Sequence, residues 1–339
     1  MSILVTGGAG YIGSHTVLAL LQKGEDVVVI DNFVNSSPVA LERVAQIADK
    51  SPVVYDCDIR DNERVNDIFS RHSFSHVIHF AGLKSVSESI KRPLDYYAVN
   101  VMGTMNVIQA MYKFEVRNFI FSSSATVYGL PEKIPLTEEC KVGGTTNPYG
   151  TSKLVIEEML KDINCSDPDF NVTILRYFNP VGAHCSGLIG EDPNGVPGNL
   201  VPFIAQVAIG KLKSLFVFGN DYHTNDGTGV RDYIHVVDLA NGHLSALNKQ
   251  GIGQSYNVYN LGTGKGYSVL EMIHTFNDVN GTHVSYEFMP RRPGDVAECW
   301  SDPSLAMNEL GWSAKLGIED MLRDAWNWQV KNPNGYLSI

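Results

Sequence analysis

Tyr149 and Lys153, four residues apart, are the side chains of this sequence best suited to proton transfer. On a helix, residues at this spacing lie on one face and share an environment. A free tyrosine has a pKa of about 10 and is a poor base at neutral pH. A neighbouring ammonium group favours the phenolate and brings the pKa of the tyrosine toward the working pH. The pair is common by chance on protein surfaces, so its meaning depends on its context.

Three serines, Ser122, Ser123 and Ser124, come at the end of a predicted strand. Hydroxyl groups at the carboxyl end of a strand face the cleft in which open α/β sheets bind ligands. One of them could hydrogen-bond the reacting oxygen of an alcohol or ketone. The spacing does not choose among the three, and the serines could instead cap the turn that follows.

The stretch GGAGYIG lies directly after the first predicted strand and satisfies G-x-G-x-x-G at Gly8, Gly10 and Gly13. Between a strand and a helix, the missing side chains let backbone N–H groups approach a pyrophosphate. Asp31 ends the second predicted strand, where a carboxylate accepts hydrogen bonds from ribose hydroxyls and repels a 2′-phosphate. The motif therefore predicts NAD, whose positive nicotinamide ring would further favour a phenolate; the alternative for Asp31 is a solvated acid at a strand end.

Alternating short apolar strands and amphipathic helices must position these residues. This alternation predicts an α/β fold, a doubly wound parallel Rossmann sheet covered on both faces. The predicted strands cover residues 3–6, 26–30, 53–55, 76–80, 118–122 and 171–175, and the predicted helices cover residues 11–23, 62–71, 95–114 and 149–161.

The second half of the chain differs, because Gly, Pro and Asn crowd together in residues 187–199 and 219–229. Long loops of this kind in a compact chain are usually functional or mobile. We predict an NAD-binding domain of residues 1–180 and a smaller mixed α/β substrate-binding portion of residues 181–339, with some chain crossing back into the first. The cleft between the two is the expected ligand site. The predicted elements of this half are strands 214–218 and 255–260 and helices 236–247 and 318–328.

Composition narrows the function classes. The 339 residues hold 26 Lys and Arg against 37 Asp and Glu, a net charge of −11, which disfavours nucleic acid and anionic membranes as partners. The five scattered cysteines form no C-x-x-C pair, and the chain starts without a signal peptide or membrane span, so we expect a cytoplasmic protein. The histidines show no metal-ligand spacing, so we predict no metal; His79 and His235, in apolar runs, are expected in the core rather than as bases.

Together, the glycine motif, the string SSSATVYG and the Tyr149–Lys153 pair resemble the extended short-chain dehydrogenase/reductase superfamily. Four further strings resemble the UDP-galactose (UDP-glucose) 4-epimerase family: FAGLK at 80–84, LRYFNPVGA at 175–183, GVRDYIHV at 229–236 and PRRPGD at 290–295. These blocks span nearly the whole chain in the order of that family.

The resemblance implies individual roles. Tyr149 would be the catalytic acid/base, Lys153 would tune its pKa and hold the nicotinamide ribose, and Ser124 would hydrogen-bond the sugar 4-oxygen. The implied NAD-binding residues are Gly7, Gly10, Tyr11, Ile12, Gly13, Asp31, Asn32, Asn35, Ser36, Asp58, Ile59, Phe80, Ala81, Gly82, Lys84, Asn100, Ser122, Tyr149, Lys153, Tyr177 and Phe178. The implied substrate-binding residues are Lys84, Ser124, Tyr149, Phe178, Asn179, Asn199, Leu200, Phe216, Phe218, Arg231, Tyr233, Arg292, Asp295 and Cys299.

The reaction that the resemblance implies is the interconversion of UDP-glucose and UDP-galactose. NAD would oxidise the sugar transiently to a 4-keto intermediate, which rotates and is reduced on its other face. One alternative is a sugar-nucleotide dehydratase or decarboxylase on the same scaffold; dehydratases place an Asp-Glu pair beside the catalytic hydroxyl, whereas Ala125 and Thr126 follow Ser124 here. Another is a non-catalytic NAD sensor, which would have no need of Tyr149.

Two finer expectations also follow from the resemblance. Cys299 stands where bacterial relatives often carry tyrosine, and a small residue there should admit an N-acetyl group, so N-acetylated UDP-hexosamines are expected as further substrates. The alternative is a small buried residue with no effect on substrate choice. Helical segments 95–114 and 149–161 form a dimer interface in the relatives, so we expect a homodimer.

Overall fold

The computed structural model describes residues 1–193, 195–250, 253, 255–292 and 294–337. Its strands are β1 (Ser2–Thr6), β2 (Val27–Asp31), β3 (Val53–Asp56), β4 (Phe74–His79), β5 (Asn118–Ser124), β6 (Asn171–Tyr177), β7 (Asn179–Val181), β8 (Leu215–Phe218), β9 (Val230–His235), β10 (Tyr256–Leu261), β11 (Gly266–Ser268), β12 (Tyr286–Met289) and β13 (Glu298–Cys299). Its α-helices are α1 (Tyr11–Gln22), α2 (Pro38–Ala48), α3 (Asn62–Arg71), α4 (Val86–Lys91), α5 (Pro93–Tyr96), α6 (Gly103–Lys113), α7 (Pro148–Ser166), α8 (Leu200–Ala208), α9 (Val236–Lys249), α10 (Val269–Asn280), α11 (Ser304–Leu310) and α12 (Ile318–Lys331).

Seven parallel strands form the central sheet in the order β10-β6-β5-β4-β1-β2-β3. Strand β2, with the sequence VVVID, is buried along its whole length, as expected of a parallel strand covered on both faces. Successive residues of each strand point to opposite faces of the sheet and belong to two separate apolar cores. Val5 and Val29 pack with α1 and α9 on one face, and Leu4 and Val28 pack with α3 and α6 on the other. The predicted doubly wound α/β fold is confirmed.

The predicted helix of residues 95–114 is helical in the structure, where α5, a π-helical turn at Tyr97–Met102 and α6 follow one another directly. The π-turn was not predicted. An apolar pattern does not distinguish normal helical bonding from the one-residue expansion of a π-turn. Here the turn carries Asn100, whose amide bonds the backbone of Leu83 at 2.7 and 3.1 Å and the hydroxyl of Ser152 at 2.9 Å.

The second half of the chain builds two small sheets. Strand β9 pairs with β7, β11 and β13, and β8 pairs with β12. Helices α8, α10 and α12 pack with them around a separate apolar core. The chain also crosses back, because β10 forms the edge of the central sheet beside β6 and α9 covers that sheet next to α1. A domain boundary at residue 180 stays a prediction.

No helix within the described residues combines the length and hydropathy that a membrane crossing needs. All five cysteines are unpaired.

Candidate active site

Helix α7 carries Tyr149 and Lys153 to the carboxyl end of the central sheet. Pro148 opens the helix, and the side chain of Asn147 caps it by accepting a hydrogen bond from the Gly150 N–H at 2.9 Å. Lys153 is buried, and its ammonium donates to the Ser122 carbonyl oxygen at 2.7 Å. This contact joins helix α7 to the end of β5.

The structure distinguishes the three serines. The Ser124 hydroxyl lies beside Tyr149, close enough to lower the pKa of its phenol, and it also caps the following 3-10 helix by accepting from the Thr126 N–H at 3.2 Å. Ser122 lies near Tyr177, whose hydroxyl hydrogen-bonds His243, and buried Ser123 donates to Glu157 at 2.5 Å. The serine beside the tyrosine is therefore Ser124, and its capping role coexists with its position in the site.

The electrostatics of the pair differ from the sequence-based expectation. Burial raises the pKa of Tyr149, and the adjacent Ser124 hydroxyl only opposes that rise. Burial also lowers the pKa of Lys153 to about 8, with the negative charge of Glu157 acting against it. The prediction that Lys153 lowers the pKa of Tyr149 is thus not met within the chain itself, because the ammonium is directed at a backbone carbonyl. A phenolate at this position needs a further positive charge.

The glycine motif forms a tight turn between β1 and α1. Gly7 has a φ of +69°, and a Cβ on it would lie 2.6 Å from the Ala81 nitrogen. A Cβ on Gly13 would lie 2.2 Å from the Gly7 carbonyl oxygen, so a side chain at either position would clash with backbone. Gly10 caps α1 without a side-chain hydrogen bond, which leaves the N–H groups of the first turn for an anion. The glycine turn and the free N–H groups of the first turn of α1 fit a pyrophosphate.

Asp31 is only 7% exposed, so it is not a solvated acid. Its carboxylate accepts from the Ala9 N–H at 2.9 Å, the Phe33 N–H at 3.0 Å and the Ser36 hydroxyl at 2.8 Å. The acid thereby fixes the glycine turn relative to the loop after β2. Three bonds leave lone-pair capacity on the two oxygens for a ribose hydroxyl.

The other residues predicted to bind a dinucleotide follow the same edge of the sheet. Asn32 donates to Asp58 at 2.9 Å across the ends of β2 and β3. Arg60 donates two hydrogen bonds to the carboxylate of Asp58, which lowers the pKa of Asp58 to about 2. Tyr11 donates to the Gly182 carbonyl at 2.7 Å. The remaining predicted residues lie on the first turn of α1 (Ile12), the loop after β2 (Asn35), the loop after β3 (Ile59), the loop after β4 (Phe80, Ala81, Gly82) and the end of β6 (Tyr177, Phe178).

Lys84 and Asn199 meet at one carboxylate. The Lys84 ammonium lies 3.1 Å from Glu191 Oε1, and the Asn199 amide donates to the same oxygen at 2.7 Å. Asn199 directly precedes Leu200, the first residue of α8. Two predicted ligand-binding side chains from opposite halves of the chain are therefore held together by an acid that the sequence did not single out.

Two arginines gather near β9. Arg231 donates to the Val230 carbonyl oxygen at 2.8 Å. Arg292 stacks over the ring of Phe218 at 4.7 Å and pairs with Asp295 at 3.0 Å. Burial raises the pKa of Tyr233 to about 12, and the charges of both arginines oppose this, which shows that they lie near its ring. These side chains form a cationic and aromatic patch on which a nucleoside diphosphate could lie.

Three further predicted residues lie around this patch. Cys299 is opposite Arg231 in the β13–β9 pairing and packs on a cluster that includes Phe178. Exposed Asn179 is in register with Tyr233 in β9. Phe216 is 44% exposed and packs edge-on against Phe203.

Sequence reasoning missed Glu157, Arg176 and Glu191. Glu157 continues the four-residue spacing of Tyr149 and Lys153 along α7, a signal that was readable. Arg176 lies within the LRYFNPVGA string but received no role of its own, and Glu191 belongs to no pattern.

His79 and His235 are buried as expected. Both ring nitrogens of His79 hydrogen-bond threonine hydroxyls, at 2.7 and 2.9 Å. The described residues contain no group of three or more His, Cys, Asp or Glu side chains that could bind a metal ion. The absence of a metal remains a prediction.

Comparison with known proteins extends this picture. The sequence model of the GDP-mannose 4,6 dehydratase family matches residues 4–325. A UDP-glucose 4-epimerase of Pasteurella multocida is 62% identical over 336 residues, 99% of each chain, and one of Bacillus subtilis is 56% identical over 338 residues, 100% of this chain and 99% of the relative. A crystal structure of UDP-glucose 4-epimerase from Bifidobacterium longum in complex with NAD+ and UDP superposes with a TM-score of 0.96 at 54% identity, covering 99% of this chain and 100% of the other.

Proposed function

The chain belongs to the UDP-glucose 4-epimerase family, within the wider group described by the GDP-mannose 4,6 dehydratase model, and from this premise we propose that it interconverts UDP-glucose and UDP-galactose with NAD as its cofactor. The observation that carries the proposal is the contact of Ser124 with Tyr149 above the anchored Lys153, at the sheet edge that also holds the glycine turn. A sensor that only binds NAD has no need of this arrangement.

The residues at the sheet edge fit NAD. The glycine turn and the uncapped start of α1 would hold its pyrophosphate, and Asp31 would accept from the adenosine ribose. Lys84, Phe80 and Tyr177 would lie along the rest of the cofactor. When bound, NAD supplies a reversible two-electron oxidation at carbon 4 of the sugar, whose C–H bond is not acidic.

The protein's own part of the reaction is proton transfer and positioning. Tyr149 takes the proton of the sugar 4-hydroxyl and later returns it, so one residue serves as base and then as acid. Ser124 holds the 4-oxygen within reach of the phenol, and Lys153 keeps a positive charge beneath the site. The cationic patch anchors the diphosphate while the sugar, held more loosely, turns its other face.

The sequence beside Ser124 argues against elimination. A dehydratase needs an acid/base pair near the catalytic hydroxyl to expel a leaving group. Ala125 and Thr126 occupy the two positions after Ser124, and the Thr126 hydroxyl donates to Ser124 at 3.0 Å. Epimerisation needs no second acid, which agrees with the residues present.

A single incubation tests the function. Protein as purified, without added cofactor, is mixed with UDP-galactose, and the formation of UDP-glucose is followed by chromatography. We expect conversion to an equilibrium mixture, with NAD released on denaturation in a ratio near one per chain. Bound NAD without conversion of UDP-galactose would reject the epimerase and leave the sensor or another nucleotide sugar.

We further propose a cytoplasmic homodimer. The five unpaired cysteines are typical of a reducing compartment. Three apolar side chains on α4, α5 and the π-turn that follows are exposed to solvent: Ile90 is 63% exposed, Leu94 is 81% exposed, and Met102 is 60% exposed. Val155, 40% exposed, extends this surface onto α7. Such a surface is suited to burial against a second copy, and light scattering of the purified protein should give twice the chain mass.

Acceptance of N-acetylated UDP-hexosamines is proposed from the surroundings of Cys299. Its side chain is partly buried and packs on the cluster that contains Phe178, beside the predicted sugar position. A thiol occupies far less space than a phenol, so an N-acetyl group would find room there.

A further inference from the structure

A buried ion pair lies directly beneath the proposed catalytic side chains. Arg176 on β6 donates to both oxygens of Glu157 on α7, at 2.6 and 3.1 Å. Their side chains are 6% and 3% exposed. Removing two charges from water is costly, so a pair of this kind is often no more stable than an apolar contact of equal size. Its bidentate geometry does fix the relative position of the two elements that carry it.

The ion pair is joined to three further parts of the site. Ser123 on β5 donates to Glu157 at 2.5 Å. The other guanidinium nitrogen of Arg176 donates to the Tyr128 hydroxyl at 3.0 Å, and Tyr128 donates in turn to Asn260 on β10 at 2.7 Å. Helix α7, the 3-10 helix after Ser124 and strands β5, β6 and β10 are thus linked through one buried network.

Each member of the network is close in sequence to a residue with a proposed role. Ser123 directly precedes Ser124, Arg176 stands two residues before Phe178, and Glu157 lies one helical turn beyond Lys153. We propose, on the basis of the epimerase function above, that Glu157 and Arg176 are positioning residues that hold the catalytic serine, the catalytic helix and the sugar-facing end of β6 in register and keep the charge of Lys153 in place.

The electrostatic part of the proposal depends on what faces Lys153. On its own helix these groups are Tyr149 and Glu157, and the negative charge of Glu157 raises the pKa of Lys153. From β4 comes His79, which is neutral because burial and Lys153 lower its pKa to about 3. From β5 come the Ser122 carbonyl and the ring of Phe121, at 4.8 Å from the ammonium.

Strand β6 contributes two more groups to these surroundings. Tyr177 is neutral, because burial raises its pKa, and Arg176 lies behind Glu157. Replacing Glu157 with a neutral residue would therefore remove the stabilising charge and leave the positive charge of Arg176 facing Lys153 from behind.

The decisive variant is Glu157→Gln in the full-length enzyme. Its amide keeps the size of the side chain and loses the charge, so Lys153 should lose its proton at lower pH. We expect the alkaline limb of the kcat–pH profile to move down by about one pH unit, and kcat at pH 8 to fall about fivefold, with KM changed less than about threefold. The control is Glu42→Gln, the same substitution at an exposed position of α2, which should leave the profile unchanged.

Two further variants separate charge from geometry. Glu157→Asp keeps the charge and shortens the reach to Arg176, and Ser123→Ala removes one link without changing any charge. Both should lower kcat about three- to tenfold and leave the alkaline limb at its wild-type pH. They carry the test if Glu157→Gln does not fold, and circular dichroism of each variant monitors folding.

The outcomes separate this inference from the function on which it rests. Wild-type protein that fails to convert UDP-galactose rejects the epimerase function. Active wild-type protein together with a Glu157→Gln variant that keeps the wild-type profile rejects the electrostatic role. Wild-type kcat in both Glu157→Asp and Ser123→Ala rejects the positioning role, and a loss of stability with unchanged kinetics in every variant leaves only a structural part for the network.

Discussion

The two ends of the proposed active site are built in opposite ways. At the catalytic end, around Tyr149, the charged groups are buried: Lys153 is 5% exposed, and the side chain of Glu157 is 3% exposed. At the anion-binding end, around Lys84 and Arg292, the charged side chains are 58% and 55% exposed. The first end is fixed by a network, whereas the second is open to solvent.

The partners of the cations differ as well. At the anion-binding end, Lys84 pairs with Glu191 and Arg292 with Asp295, both through carboxylates. Exposed ion pairs contribute about 0–1 kcal/mol each, so an incoming diphosphate can replace Asp295 as the partner of Arg292 at little cost. The Glu191 side chain is only 9% exposed, so displacing it from Lys84 costs more. At the catalytic end, Lys153 is bound to the backbone carbonyl of Ser122 on β5 rather than to a carboxylate. The difference suggests that ligand binding rearranges one end while chemistry proceeds at an end already in place.

The largest expected effect tests the catalytic end. Tyr149→Phe removes the group that takes and returns the proton, so kcat should fall by about 10³-fold or more while KM changes less than about threefold. Steady-state kinetics with UDP-galactose measures both. Tyr55→Phe, within β3 at the opposite edge of the central sheet from β10, should retain activity. A Tyr149→Phe enzyme with a tenth of the wild-type kcat would show that another group moves the proton.

The anion-binding end should respond in KM instead. Arg292→Met removes a charged donor from the patch, and the loss of one such hydrogen bond, about 1.5–3 kcal/mol, corresponds to a rise in KM of about 10- to 100-fold with kcat nearly unchanged. Arg291→Met is a matched control, since the neighbouring Arg291 stacks on Tyr222 at 4.2 Å and pairs with Asp221 instead. A fall in kcat for Arg292→Met, or equal effects of the two variants, would remove the distinction between the ends.

The two ends also differ in how far sequence could predict them. The glycine turn, Asp31 and the Tyr149–Lys153 pair obey local rules of spacing after a strand or along a helix, so the sheet and the catalytic edge were predictable. The tyrosine's environment was not. Its pKa depends on burial and on where the Lys153 ammonium points, and both are set by the ends of β5 and β6, which are distant in sequence.

At the anion-binding end, local sequence patterns predict fewer of the residues and of their partners. Lys84 and Asn199 are more than a hundred residues apart, and only the fold brings them to Glu191. The resemblance to a family supplied these residues as ligands, but it supplied neither their acidic partner nor the buried pair of Glu157 and Arg176. Contacts between distant elements leave no periodic signal in one sequence. The π-turn that places Asn100 is local, but it was missed because an apolar pattern does not distinguish it from an ordinary helical turn.

Glu191→Gln tests whether an acid at the open end acts as a replaceable partner. If its carboxylate competes with the ligand for Lys84 and Asn199, the neutral amide should tighten UDP binding about two- to fivefold, since one repulsive charge near the diphosphate is removed. Calorimetric titration with UDP gives the Kd, and the gain should shrink at high salt. Glu132→Gln, at an exposed site, should bind UDP like the wild type. Weaker binding by Glu191→Gln would instead assign Glu191 a role in orienting the two cationic and amide ligands.

Cys299→Tyr has the smallest expected effect on the reaction with UDP-glucose. Cys299 lies beside Arg231 in the β13–β9 pairing and packs against the cluster that contains Phe178. The added ring should fill space available to an N-acetyl group. The ratio of kcat/KM for UDP-N-acetylglucosamine to that for UDP-glucose should fall at least about tenfold, within the 1–3 kcal/mol that pocket shape can discriminate. Cys299→Ser keeps the small volume and should keep the ratio. If the tyrosine variant keeps it too, the space beside Cys299 does not select substrates, and the sugar is held entirely by the catalytic end.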